Sequence, residues 1–162
     1  MPNSTLNFTM QHQETSQWCW AAVGTSNALF FNPASGWTQC SLANSQLARA
    51  DCCSAPIPPA CVVPSQLDTS LSIVGHLRST LPRSCVFSEC DREISNGKPL
   101  NFRIEWSDGS GHFATIIGIG DPSDELLEVT DPLYDSSTIP VGVLTAAYRG
   151  NGRWTHSYLT KQ

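Results

Sequence analysis

The sequence predicts an α+β fold, and three observations carry that prediction. Apolar residues recur at helical spacing through the first half of the chain, they alternate with polar ones from Pro99 onward, and six of the seven cysteines lie between Cys40 and Cys90. Helices in one half and antiparallel strands in the other define the class. A chain of 162 residues supports one domain with a real core and is short for two, so residues 1–162 read as a single domain. Within it, residues 1–12 form an extended arm, 13–97 a helical, disulfide-rich half, and 98–162 an antiparallel β half.

The arm alternates at Leu6, Phe8 and Met10, as an edge strand would, and His12 reads as solvent-facing. Asn3 and Asn7 each open a match to the N-glycosylation acceptor pattern, taken as chance. Ser16 is placed as the N-cap of a first helix. That helix is rich in Ala and apolar residues, runs to Phe31, and stops at Asn32-Pro33, because proline cannot continue the hydrogen-bond ladder. Leu42, Ala43, Gln46, Leu47 and Ala50 space out a second helix over 41–50. A loop with Pro56, Pro58, Pro59 and Pro64 leads to a third from about Ser65, with Leu67, Leu71 and Val74 on one face and Gly75 at the stop. Ser88 and Asp91 read as a capping box for a fourth over 88–95, which exits through Asn96-Gly97. Strands follow at 100–106, 112–120, 126–130 and 154–160, the first two joined by the turn Ser107–Gly111.

Charge narrows the function. A net charge of -5, a pI near 5.2 and the lack of any Lys/Arg cluster argue against a nucleic-acid partner or an anionic membrane surface. No apolar run approaches the roughly 18 to 20 residues that span a bilayer. Met1-Pro2-Asn3-Ser4-Thr5 has neither the basic start nor the apolar stretch of a secretory signal. Export then relies on a leader outside the numbered chain, on another route, or on a longer chain from which this domain is cut.

Seven cysteines are an odd number. If Cys40, Cys52, Cys53, Cys61, Cys85 and Cys90 pair as three disulfides, the one left over is Cys19, and the compartment is oxidising. A zinc site is the competing reading. It has no CxxC pair to build on, and His76 as a fourth ligand lacks recognisable spacing, so disulfides are preferred and no metal or cofactor is expected. Adjacent Cys52 and Cys53 are not expected to bond each other, because such a bridge is strained, while Cys85 with Cys90 is the most local pairing.

Cys19 falls in the first turn of the first helix, where unpaired backbone N–H groups and the positive end of the helix dipole favour an anion. A thiolate is the nucleophilic form of cysteine. A buried cysteine in an Ala-rich helix is also an ordinary packing residue, so its partners decide. A nucleophilic thiol needs a base in reach and a third group to orient that base. His112 opens an apolar strand immediately after a Gly-rich turn, at the end of a sheet where a cleft can form; His156 within the last strand and His76 after a helix stop are weaker. Asp121 and Asp131 compete as orienting groups. If strands 112–120 and 126–130 pair around Asp121–Asp124, residues whose numbers sum to roughly 243 to 245 face each other, which returns Asp131 beside His112. Asp121 would stand about 30 Å up the strand, as a turn residue before Pro122. Gln13 offers an amide that can donate to an oxyanion alongside the Cys19 backbone N–H.

Gln13, five residues, then Cys19-Trp20-Ala21, with His112-Phe113 and Asp131-Pro132 following in that order, resembles the papain-like cysteine peptidases. The likeness is to their compact bacterial branches, the bacteriocin-leader peptidases and plant-pathogen effector proteases, and the closing Tyr148…Trp154-Thr155-His156-Ser157-Tyr158 stretch extends it over nearly the whole chain. The resemblance implies a two-lobed fold with the cleft between helical and β halves. It implies Cys19 as nucleophile, His112 as general base and acid, Asp131 as its orienting group and Gln13 as oxyanion donor. Aspartate stands where papain has asparagine, and the chain is shorter than papain, so papain's substrate pockets do not carry over. The expected function is an endopeptidase acting through a thioester acyl-enzyme, an exported bacterial protease or effector or toxin domain. Its expected partners are a protein or peptide substrate and a dedicated inhibitor or immunity protein, with the enzyme itself a monomer. An amidase, deamidase or acyltransferase would use the same triad, and a secreted binding module with a silent site is the reading from another class.

Overall fold

Along Leu100–Glu105 (β3) the side chains sort onto two faces of a sheet: Leu100, Phe102 and Ile104 bury on one, while Asn101 and Arg103 point to the other. The computed structural model describes residues 4–162. The remaining strands are Ser4–Thr5 (β1), Leu77–Leu81 (β2), Gly111–Ile119 (β4), Leu126–Thr130 (β5), Ser137–Pro140 (β6) and Arg153–Thr160 (β7). The order is β2-β7-β3-β4-β5-β6, with β1 pairing with the far end of β4, and every pair is antiparallel. Helices are Cys19–Phe31 (α1), Gln39–Leu47 (α2), Leu67–Val74 (α3), Phe87–Ser95 (α4) and Val141–Ala147 (α5). The architecture is α+β, as the change of periodicity predicts.

The two faces bury different things. Leu100, Phe102, Ile104, Ala114 and Ile116 form one core with Ile94 of α4 and Leu144 of α5. Phe113 and Tyr158, pointing the other way, join Trp18, Trp20, Val23, Leu67 and Leu71 in a second core under α1 and α3. Every residue of α1 from Cys19 to Ala28 is buried, so this helix has no solvent face and runs through the molecule rather than over it. Gly24 permits that: a Cβ there would stand 2.8 Å from Leu42 Cδ2 and 3.0 Å from Ser70 Cβ, so α1 meets α2 and α3 at closest approach where it has no side chain.

A buried polar contact locks α1 to the sheet. The side-chain amides of Asn27 and Asn101 donate to each other's oxygens at 2.9 and 3.2 Å, and Thr115 Oγ1 donates to Asn101 Oδ1 at 2.6 Å. All three side chains are fully buried. Polar groups in such a place are costly unless paired, so this contact fixes one docking position for the helix that carries Cys19.

The structure revises several expectations. Ser16 caps nothing: α1 begins at Cys19 with Trp18 as an N-cap that makes no side-chain bond. The true capping box belongs to α2, where Thr38 Oγ1 accepts from Ser41 N at 3.2 Å and Ser41 Oγ accepts from Thr38 N at 2.9 Å, so the helix starts before Ser41. At α4 the capping carboxylate is Glu89, which accepts from Val86 N at 3.1 Å, rather than the pair Ser88 and Asp91. β2, β6 and α5 are additional elements; β2 carries part of the first half into the sheet. Of the arm, Ser4–Thr5 pairs as a strand, Leu6 N donates to Ile117 O, and the Asn3 acceptor lies outside the described residues.

Two disulfides form, Cys40–Cys53 and Cys52–Cys61, so the adjacent cysteines take different partners and clamp the loop after α2. The expected third bridge is absent among the described residues: Cys85 and Cys90 are buried free thiols, which leaves three unpaired cysteines rather than one. The one grouping of potential metal ligands among the described residues, Asp51 with Cys52 and Cys61, contains a sulfur pair already bonded together. No described helix is long and apolar enough to cross a membrane.

Candidate active site

The site forms where the N-terminus of α1 meets the start of β4. Gln17, in the left-handed region at φ 69°, turns the chain so that α1 can begin at Cys19. Two tryptophans fix the turn from below: Trp18 Nε1 donates to Cys61 O at 2.7 Å and Trp20 Nε1 to Val63 O at 3.0 Å. The disulfide-clamped, proline-rich loop is therefore tied to the residues flanking Cys19. As the first residue of α1, Cys19 has first-turn amides around it that lack helical acceptors.

From the sheet side, β4 and β5 pair with Thr115 opposite Thr130 and Ile116 opposite Val129. Those sums of 245 fall within the expected register, and a shift past Ile116 raises the later ones by one. Asp131, the first residue beyond β5, lies beside His112. His112 Nε2 is 2.8 Å from Asp131 Oδ1 and 3.0 Å from Oδ2. The carboxylate also accepts the backbone N–H groups of Leu133 at 2.8 Å and Tyr134 at 3.0 Å on Oδ1, and the Tyr148 hydroxyl at 2.7 Å on Oδ2. Burial raises the Asp131 pKa, but these donors outweigh it and hold the group below the usual carboxylate range. Burial likewise opposes charge on His112, yet the Asp131 carboxylate and the contact with Cys19 raise its pKa to about 9.

An aromatic wall covers this pair. Trp106 stacks on His112 with centroids 5.8 Å apart and on Tyr148 at 6.2 Å, and the Tyr134 ring meets His112 edge-on at 5.7 Å. Burial and the adjacent Asp131 carboxylate push the Tyr148 hydroxyl pKa up, so it stays a hydrogen donor. Tyr148 belongs to the site and carries no signal of its own in the sequence, where it stands only within the closing stretch that supports the resemblance.

Gln13 completes the cluster from the arm. Its backbone N–H donates to Pro132 O at 2.8 Å, which ties the arm to the Asp131 segment, and Gln39 holds the neighbouring residues through Glu14 N and His12 O. The Gln13 side chain is buried; Nε2 donates one hydrogen to Thr15 O at 3.2 Å and retains a second. Gln13, Cys19 and His112 line one cleft of about 500 Å³ with Trp106 and Leu133. A smaller hollow of about 210 Å³ opens on the other side of Cys19, between Trp20, Pro64, Phe113 and Arg103.

The structure thus brings together Cys19, His112, Asp131 and Gln13, and keeps the competing residues away. His76 stacks on Phe31 at 4.6 Å, and His156 Nδ1 bonds with Thr155 Oγ1 at 2.9 Å. Asp121 caps its own turn through Ser123 N at 2.9 Å. A buried thiol beside an imidazole that is itself held by a carboxylate is an arrangement for nucleophilic attack and proton transfer.

Residues 2–141 match the family model described as "Papain-like cysteine protease AvrRpt2". Among curated proteins no sequence matches significantly. The solved structures that share the fold include two proteases. Xylellain, a cysteine protease from Xylella fastidiosa, is 10% identical with a TM-score of 0.56, and the match covers 100% of this chain and 87% of that one. A double glycine motif protease from an AMS/PCAT transporter, in complex with the leader peptide, is 13% identical with a TM-score of 0.51, covering 98% of this chain and 95% of that one.

Proposed function

Because this chain belongs to the papain-like cysteine protease family described by AvrRpt2, and is a cysteine protease, we propose that it is an endopeptidase working through a Cys19–His112–Asp131 triad with Gln13 as oxyanion donor. The observation that carries this reading is the placement of His112 between the Asp131 carboxylate and Cys19, in one cleft with Gln13. Asp131 takes the Nε2 hydrogen, which assigns Nδ1 to the thiol.

His112 takes the proton of the Cys19 thiol. Its sulfur attacks the carbonyl carbon of the scissile amide, and the oxygen takes the charge against the Cys19 N–H and the second hydrogen of Gln13 Nε2. The C–N bond breaks as His112 gives its Nδ1 proton to the leaving amine, and a thioester remains on Cys19. Water, giving a proton to His112, attacks the thioester, releases the new carboxyl terminus and restores the starting pair. The buried, four-donor setting of Asp131 keeps it ionised throughout, so it orients the ring without accepting its proton.

The same reading makes residues 1–162 a single monomeric domain that acts on a protein or peptide outside the cell that makes it, as an exported bacterial protease or effector. Disulfides persist in oxidising compartments, and the two bridges support that placement. A dedicated protein inhibitor in the producer belongs to the same reading, since a protease must be restrained where it is made. The test is cleavage of a peptide library by wild type and Cys19→Ala. Cleavage that survives the substitution refutes the triad.

A further inference from the structure

The mechanism proposed above orients the substrate. His112 must protonate the leaving amine, so the chain beyond the scissile bond lies in the cleft that His112 lines, and the acyl part lies across Cys19 in the hollow of Trp20, Pro64 and Phe113. That hollow is walled by the three apolar residues together with Gln17, Ser65 and Gln66, and Arg103 is its single charged group. No described carboxylate lines it.

Arg103 is held from behind. Its position on β3, opposite Phe113 on β4 and His156 on β7, places it on the sheet face that carries α1. Nη1 donates to Thr155 Oγ1 at 3.0 Å and stands 3.7 Å from Glu105 Oε2. Nε and Nη2 have no acceptor among the described residues. This second edge of the guanidinium lies against Gly111, where a Cβ would stand 2.9 Å from Nη2 and 3.0 Å from Nε. Glycine before His112 therefore leaves the edge uncovered. The side chain is 23% exposed and lines the hollow, so a substrate there reaches the residue while most of it is desolvated.

A planar fork with two parallel donors matches one chemical group in a peptide, a side-chain carboxylate, which it binds bidentately. The stem of a glutamate would lie on Trp20, Pro64 and Phe113, and the hollow of about 210 Å³ has room for one side chain of that size. We propose that Arg103 sets substrate specificity: the enzyme selects an acidic residue on the acyl side of the scissile bond, at the position whose side chain enters the Arg103 hollow. Arg103 shares the sheet face of Phe113, whereas the adjacent pair Ile104 and His112 turns to the opposite face, and no hydrogen bond joins Arg103 to His112, so it selects the substrate and does not take part in bond breaking. This inference rests on the proposed triad and orientation.

Its test uses quenched peptides built on a sequence the enzyme cleaves, with Glu, Gln or Leu at each of the three positions before the cut. Wild type is expected to favour Glu over Gln by about tenfold in kcat/KM at one of these positions, with the preference shrinking as salt rises. In Arg103→Gln the Glu/Gln ratio should collapse to near one, and Arg103→Lys should restore part of it, since a point charge replaces the fork. The ratio is read within one enzyme sample, so a partly folded variant does not blur it. A ratio near one at all three positions in wild type, or an unchanged ratio in Arg103→Gln, overturns the specificity claim and leaves the triad standing. Failure of wild type to cleave any peptide, or cleavage that survives Cys19→Ala, overturns the triad and this inference with it.

Discussion

Cys19 and the two thiols at Cys85 and Cys90 are all buried, at 8%, 2% and 0% exposure, yet they occupy opposite kinds of environment. Cys85, just before α4, and Cys90, on the buried face of α4, sit within the core, where burial pushes both pKa values up. For Cys85 the Ser157 hydroxyl and Arg83 work against that rise without overcoming it. Cys19 lies beside His112 with a cleft on either side. Burial alone therefore does not separate a packing thiol from a reactive one. The difference lies in an imidazole held in place from behind and in open space for a substrate in front.

The comparison breaks most sharply under substitution. Cys19→Ala should abolish peptide cleavage, a loss on the order of 10⁶-fold for a nucleophile of this type. Cys85→Ala and Cys90→Ala should keep kcat/KM within about twofold and lose roughly 1 to 2 kcal/mol of stability in urea unfolding, the cost of a small core cavity. Asp131→Asn comes next, with a fall in kcat of about 10²- to 10⁴-fold, because the ring loses its orienting charge.

Acidity sharpens the contrast further. With the His112 pKa at about 9, kcat/KM should hold through neutral pH and fall as pH rises through about 9, where the proton for the leaving amine is lost. The same group links folding to pH. Its folded pKa lies above the unfolded value of about 6.5, so its stabilising contribution is complete below about pH 6.5 and fades as pH rises through about 9. Asp131 has the opposite sign: its depressed pKa makes its contribution complete above about pH 4, and that contribution is lost as pH falls through the folded value. Unfolding of wild type and Asp131→Asn across this range reads both limbs. Among the residues of the site the smallest expected effect is Tyr148→Phe, a loss of about tenfold in kcat with the alkaline limb moved upward, since the carboxylate loses one donor and holds the imidazolium more tightly.

Much of the site was legible because it is carried by short-range signals. The spacing from Gln13 to Cys19 is local, and the pairing of His112 with Asp131 followed from counting residues across one hairpin. Contacts between distant segments left no such trace. Tyr148 reaches Asp131 only after α5 turns back beneath the sheet, and α5 is a seven-residue helix with Gly142 and two valines, too short and too poor in helix formers to stand out. β2 is five residues long and carries Arg78, so its place beside β7 is set by tertiary pairing rather than by pattern. The Asn27–Asn101 lock joins residues 74 apart that would each read as surface polar groups. The expected third disulfide fails for a related reason: cysteine arithmetic counts candidates for pairing, but burial in a packed core is an equally good home for a thiol.

The most direct test needs no knowledge of the substrate. The folded protein is treated with iodoacetamide at neutral pH, and alkylation of each cysteine is followed by mass spectrometry in wild type and His112→Ala. Cys19 should react at least about 100-fold faster than Cys85 or Cys90, and the substitution should slow Cys19 alone, because the thiolate is the reacting form and His112 is its counter-ion. Equal labelling of all three thiols, or a Cys19 rate that ignores the loss of His112, would contradict the account.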